Sequence, residues 1–556
     1  MSYPDPPQQP QWQPQQPGQP GQGFPPPQVP GGQYAGPGAP GGFGGPPGGP
    51  PPGVPHPGGP VPPRGGGRSK WWLIPAAAGT AVALMATTVW ATVSLVDFGG
   101  PQPEEMFPGN AIAFAKLDLS IDGSQAMELI QFVDRLPDEI TEEMDQPDDD
   151  MTDLFAEGFV GLFPEADQSD VEEWIGRRVG AAVWPASGAA EVSEGAGVSV
   201  AIALAVDDER LAHEEFEALS RAHDDLYFEV VDDFVLLAPS EAALEDLRAQ
   251  VDEHGSLDDS DVFSGDMADL PGGSLAVGWA DYERMLQVEE IAREIGAEVL
   301  AETSEMSGRA TASLRVDGDY LEARMDVFDF VVDGTDMAWL AATPGTSVAA
   351  LESLPESTIM AFGASGLDTA LADAYEGHDL PFVTSSGQRE ELEREFNRMG
   401  APLPDGFTQL LGSSTAFGVT DIDLEGFFGS SYGGGEELSF QYRAVGGDET
   451  VLGEVVESMI ADPYATPPGV NTDGDAVVVS RGSSATGRLG DDVVFQQTMQ
   501  EMDDAVVAGF FDMRGVLTDS DVRDPDQWGA LGLALSVTEE GRRTSLELRW
   551  APSGGA

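Results

Sequence analysis

Apolar and polar positions divide the chain into three stretches. Residues 1 to about 67 carry almost nothing but Pro, Gly and Gln. From Trp71 to Val96 there is no charged residue. From about residue 100 onward, short alternating runs and helix-period runs follow one another, the mark of a chain that folds. Within this last stretch Phe107-Pro108-Gly109-Asn110 reads as a Pro-led turn feeding a strand through Phe114. An amphipathic helix follows, with Met127, Ile130, Phe132 and Val133 on one face. Val198 to Val206 reads as a strand, and Phe216 and Leu219 belong to the next helix. Ser313 to Arg324 reads as a hairpin about Asp317-Gly318, with Leu314, Val316, Leu321 and Ala323 alternating with polar residues, which suggests one buried and one wet face.

The same succession then recurs. Phe107–Phe114 resembles Leu354–Ala361. Trp174–Val183 resembles Leu410–Val419, each a helix end, a Gly stop and a strand. The turn and strand Asp232–Leu237 match Asp473–Val478, and Leu257–Phe263 matches Leu489–Phe495. The hairpin Ser313–Arg324 matches Ala534–Ser545. These matches, which fall into four blocks in one order, predict a duplication. The expected fold class is α+β: two tandem copies of an antiparallel sheet with helices on one face, at residues 104–337 and 345–551. Whether the copies share one sheet or face each other across a groove is left to tertiary structure.

Composition adds the amino-terminal regions. Residues 1–70 have too few large apolar side chains to offset their ordering entropy and are expected to be a disordered tail. Residues 71–96 are long enough for a transmembrane helix, with Pro75 in the first turn and Trp71 and Trp72 at an interface. Arg64, Arg68 and Lys70 precede the run, and Asp97, Glu104 and Glu105 follow it. The positive-inside rule then predicts a single-pass protein of the cell membrane. Its amino end would be cytoplasmic and its C-terminal part extracytoplasmic, with the lipid bilayer as partner through Trp71–Val96.

Charge is as uneven. One acid, Asp5, and three bases lie before the apolar run; with 26 bases and 97 acids in the whole chain, the remainder carries net −73. Such a surface repels nucleic acid and attracts cations or basic partners, or keeps the protein hydrated in a salty medium. There is no Cys, which excludes disulfides, thiolate metal sites and Cys nucleophiles.

Phe114-Ala115-Lys116-Leu117-Asp118-Leu119, Phe132-Val133-Asp134-Arg135-Leu136-Pro137 and Trp174–Gly180, behind a Pro-rich tail and one apolar run, resemble an actinobacterial family of membrane-anchored proteins. That family is catalogued only as a domain of unknown function. The resemblance spans about residues 100–551 and implies no activity, cofactor or catalytic residue.

Candidate chemistry is sparse. His56, His213, His223, His254 and His378 lack zinc-site spacing. Asp421-Ile422-Asp423-Leu424-Glu425-Gly426 begins like a calcium loop, but Tyr432 stands where the closing Glu belongs. Asp148–Asp150 and Asp519, Asp521, Asp524 and Asp526 read as solvated acidic loops. Gly363-Ala364-Ser365-Gly366 is one residue short of a nucleophile elbow. Phe24-Pro25-Pro26-Pro27 reads as a flexible linker or a ligand for aromatic grooves. No catalytic, cofactor or metal residue is assigned. The expected function is binding or scaffolding in the cell envelope, with an envelope protein or cation as partner. The alternatives are an envelope hydrolase and a sensor signalling through its tail.

Overall fold

The computed structural model describes residues 102–553, apart from 120–124, 144–150, 289–290, 292–305, 423–437, 460–466, 483–486, 518–521 and the single positions 194, 224, 333, 342, 344, 379, 381, 382, 384 and 385. The first eight strands are β1 (Ala113–Asp118), β2 (Ile175–Pro185), β3 (Val198–Val206), β4 (Tyr227–Val231), β5 (Phe234–Ala238), β6 (Ala276–Asp281), β7 (Met306–Asp317) and β8 (Tyr320–Val332). The next eight are β9 (Met360–Ser365), β10 (Ser414–Ile422), β11 (Leu438–Val445), β12 (Gly469–Asp473), β13 (Ala476–Arg481), β14 (Val507–Asp512), β15 (Ala530–Thr538) and β16 (Arg543–Ala551).

All sixteen belong to one sheet, in the order β12-β13-β11-β10-β9-β14-β15-β16-β8-β7-β6-β1-β2-β3-β5-β4. Read outward from the middle, the two halves run β8-β7-β6-β1-β2-β3-β5-β4 and β16-β15-β14-β9-β10-β11-β13-β12, one topology twice. They meet where β16 pairs antiparallel with β8, from Arg543 opposite Phe328 to Trp550 opposite Leu321. This corrects the expectation of two tandem sheets. Each half would end in a long strand with bare N–H and C=O groups, and pairing β8 with β16 satisfies both edges at once.

Individual hydrogen bonds recur as well. Leu257 N–H donates to the Phe107 carbonyl at 2.7 Å, and Leu489 N–H to that of Leu354 at 2.8 Å. Ile112 N–H donates to Val183 and Ile359 N–H to Val419, both at 2.8 Å. The turn match shifts by one residue, because Val231 pairs with Phe234 where Asp473 pairs with Ala476. Val231, not Asp232, is therefore the counterpart of Asp473.

The expectation of helices on one face is also corrected. In the first half, Phe114, Ala182, Ala201, Ala203 and Trp279 share a face with Leu244, Leu247 and Phe263. On the other face, Leu204, Val206 and Val235 pack with Phe159, Trp174 and Phe216. The reason is legible in β3, Val-Ser-Val-Ala-Ile-Ala-Leu-Ala-Val, which is apolar at nearly every position and so is buried on both sides. The helices concerned are α1 (Met151–Leu162), α2 (Gln168–Trp174), α3 (Glu209–Ala222), α4 (Glu241–His254) and α5 (Asp261–Met267). Asp208 caps α3 by accepting from the N–H groups of Arg210 and Leu211, and Ser240 caps α4 at Ala243.

The single-pass membrane reading is corrected too, and with it the cell-membrane topology and the bilayer as partner. Among the described residues no helix is long and apolar enough to cross a membrane. The run Trp71–Val96 and the tail 1–70 lie outside the described residues.

Candidate ligand-binding cleft

Comparing the halves strand by strand locates the difference between them. In the first half, 22 residues separate β5 from α5 and hold the 14-residue helix α4, whose Leu244 and Leu247 cover the sheet. In the second half β13 ends at Arg481 and the counterpart of α5, α6 (Val493–Thr498), begins at Val493. The intervening chain is too short for such a helix. Among the described residues, the surface that α4 covers in the first half therefore has no such helix over it in the second.

The side chains on that surface differ accordingly. Ala182 faces Ala201 and Gly180 faces Ala203, whereas Gly418 faces Gln441 and Ala416 faces Arg443. Two buried alanines are thus replaced by a glutamine and an arginine. Val231, which packs on the first core, is replaced by Asp473. Together these residues line a cleft of about 420 Å³. Ser353 and Pro355 form part of its rim on one side, with Gly487 and Arg488 beside them. Pro355 and Arg488 are held together by an isolated antiparallel bridge, and Glu356 N–H donates to the Gly487 carbonyl at 3.3 Å. The volume falls in the range of small-molecule sites, roughly 300–1,000 Å³.

Arg443 is the most constrained group there. Its side chain is only 16% exposed and its Nη1 donates to Asp473 Oδ2 at 3.0 Å. Its Nε is buried and has no hydrogen-bond partner. A buried donor left unpaired costs about 1–3 kcal/mol, more on a charged group. Arg488 is exposed at the rim.

A second polar assembly lies at the joint between the halves. On the face of β7, β8 and β16 that the alternation assigns to water, Thr311, Ser313, Glu322, Asp326, Ser545 and Arg549 are buried. Arg315 grips Glu322 with two bonds of 2.8 and 2.9 Å. Asp326 accepts from Arg324 at 3.0 Å, from Arg543 at 3.0 Å and from the Ser545 hydroxyl. Burial would raise the Asp326 carboxyl, but hydrogen bonds from Arg543, Arg324 and Ser545 hold it below its ordinary value. Burial likewise opposes, and Arg315 and Arg549 outweigh it at, Glu322, whose carboxyl is also lowered. Glu547 goes the other way, pushed up by burial and by the neighbouring Glu322 charge. These groups neutralise one another across the joint, and this assembly is a seam between the halves.

The residues singled out in the sequence are dispersed. His213 stacks edge-on with Phe228, and His223 lies 3.2 Å from Glu165. His254 ends α4, and His378 follows the helix Leu367–Gly377. Ser365 is 1% exposed with an unpartnered hydroxyl, and Gly366 opens that 11-residue helix, so His378 stands at its far end, about 16 Å along at 1.5 Å per residue. The short elbow is therefore a core turn, and His378 does not stand beside it. Asp148–Asp150, Asp423–Gly426, Asp519 and Asp521 lie outside the described residues, as do His56 and Phe24–Pro27. Among the described residues no group of three or more His, Asp or Glu is placed to hold a metal ion. Sequence reasoning missed Gln441 and Arg443; the signal was the shorter spacing after β13, coupled to two polar residues in a strand whose counterpart has alanines.

No protein family, curated protein or solved structure matches this chain.

Proposed function

We propose that this protein works by binding rather than by catalysis, and that it holds a small polar ligand in the cleft over β11 and β13. The observation that carries the reading is Arg443: a guanidinium only 16% exposed that lines the cleft, on a surface whose counterpart is alanine beneath a helix. A face merely left bare by a missing helix would need only solvated polar groups. A charged group drawn this far out of water at the wall of a cleft instead carries a desolvation cost that a ligand acceptor on the guanidinium would offset.

The test is a thermal-shift screen of the purified full-length chain against neutral, cationic and anionic polar compounds. Wild type is compared with Ser353→Trp, which fills the cleft from its rim. A ligand at a hundred times its Kd adds about 2.7 kcal/mol to stability. Compounds that raise Tm for wild type and not for the filled variant support the reading. A screen with no hits, or hits shared equally by the variant, sinks it.

A further inference from the structure

We infer that the cleft is specific for an oxyanion, a carboxylate or phosphate carried by a small molecule. The inference rests on the binding reading above and adds the ligand's chemistry to it. Arginine is a donor without acceptor capacity, and its planar fork matches carboxylate and phosphate oxygens. Two arginines, Arg443 and Arg488, line this one cleft. The whole chain has only 26 basic residues against 97 acids, so a cleft lined by two arginines and one aspartate, with Glu356 beside it, is far less acidic than the rest of the molecule.

Within the cleft the donors are unevenly used. Asp473 occupies Nη1 of Arg443, and its side chain is 71% exposed at the rim, where water weakens its hold. Nε of Arg443 is closed off from solvent, so the donors left to the cleft are the remaining N–H groups of its Nη atoms. The Gln441 amide lies two residues before it on the same face of β11, and can donate to the same bound group. The Ser353 hydroxyl donates to the Ala350 carbonyl at 2.6 Å, which leaves its lone pairs as acceptors. A group offering two or more acceptor oxygens satisfies Arg443, Arg488 and Gln441 together; a cation or a pure donor satisfies none of them.

The net charge of the molecule opposes an incoming anion, and the magnitudes decide the balance. At physiological ionic strength the screening length is about 8 Å, so the scattered surface carboxylates act only weakly inside the cleft, while an arginine in hydrogen-bond contact is hardly screened. Glu356 stands beside Gly487 and is exposed, so water screens its repulsion of an anion in the cleft.

The experiment is isothermal titration of the full-length chain with succinate, with inorganic phosphate and with methylammonium, in wild type, Arg488→Gln and Arg443→Gln. Arg488 is exposed, so its variant keeps the fold, and circular dichroism checks both. The expected result is that at least one oxyanion binds, that each variant weakens it tenfold or more, and that methylammonium does not bind. Succinate alone assigns a carboxylic acid, phosphate alone a phosphorylated molecule, and both assign the shared oxyanion seat. Oxyanion binding that survives both substitutions overturns the inference. So does the absence of oxyanion binding when neutral or cationic compounds still stabilise wild type and not Ser353→Trp, an outcome that leaves the binding reading intact. Silence in both experiments overturns both.

Discussion

Ala203 and Arg443 occupy the same place in the two halves of the sheet, and they make the residue-scale argument testable. Ala203 is fully buried beneath α4. An Ala203→Arg change puts an unpaired charge in a dry core, and the expected loss exceeds about 4 kcal/mol, the range reserved for such faults. Arg443→Ala removes a side chain paired only to the exposed Asp473, and about 1 kcal/mol or less is expected. Urea denaturation of the two variants checks both. Glycines at the matched helix-to-strand junctions carry a further lesson. A Cβ on Gly412 would lie 2.2 Å from the Val445 carbonyl oxygen, at φ 64°, and one on Gly176 would lie 2.8 Å from the Ala205 backbone. Only Gly412 stops a helix in the left-handed region; Gly176 lies inside β2 with ordinary φ and is needed for close approach to β3. Gly412→Ala is expected to cost at least 1–3 kcal/mol, by strain alone, in the same measurement. The pattern marked both glycines as stops, because a one-letter code does not separate a need for positive φ from a need for space.

At the scale of elements, the hairpin β7–β8 shows what alternation can and cannot say. Leu314, Val316 and Leu321 do share one buried cluster. The opposite row, Thr311, Ser313, Glu322 and Asp326, is polar and buried, because β16 and its arginines close over it. Alternation separates two kinds of side chain; it does not reveal a polar neighbour arriving from more than 200 residues away. Asp326→Asn leaves Arg324 and Arg543 facing an uncharged group, and a loss of about 3–5 kcal/mol at pH 7 is expected. The pH dependence follows from the lowered carboxyls. Folded Asp326 and Glu322 titrate below their unfolded values, 3.8 and 4.5. In that window the unfolded chain binds more protons, so their contribution is full above about pH 4.5 and is lost as pH falls through the folded values. Guanidinium unfolding from pH 7 to pH 3 should show the gap between wild type and Asp326→Asn closing below pH 4. A gap constant with pH would remove the ion pairs from the account.

On the scale of the whole molecule, the sheet is continuous only because β8 and β16 complete each other. A chain ending after residue 341 would expose β8, a 13-residue strand, as a free edge. Light scattering of that fragment is expected to show dimers or larger species, while the full chain shows none formed through this edge. A monomeric fragment would count against the sheet junction. Net charge acts at this scale as well. A formal charge of −71 makes the folded state repel itself. Tm of the full chain is therefore expected to rise between 10 mM and 150 mM NaCl, as the screening length falls from about 30 to 8 Å. A flat or falling Tm would show that the charges are compensated locally, as they are along the seam.

Sequence alone determined several of the strands and the recurrence of blocks, because each depends on local periodicity and turn chemistry: β3 on its nearly unbroken apolar run and β7–β8 on Asp317-Gly318, whereas β4, β12 and α4 went unread. It also carried the shorter spacing after β13, although that spacing acquires meaning only beside the first half. Tertiary structure decided the rest. The union of the two halves into one sheet, the drying of the polar row at the seam and the opening of a cleft at Gln441 and Arg443 all depend on pairings between residues far apart in the chain. Such pairings are selected by the free energy of satisfying edges and burying faces, summed over the whole molecule, and no local window of the sequence contains that sum.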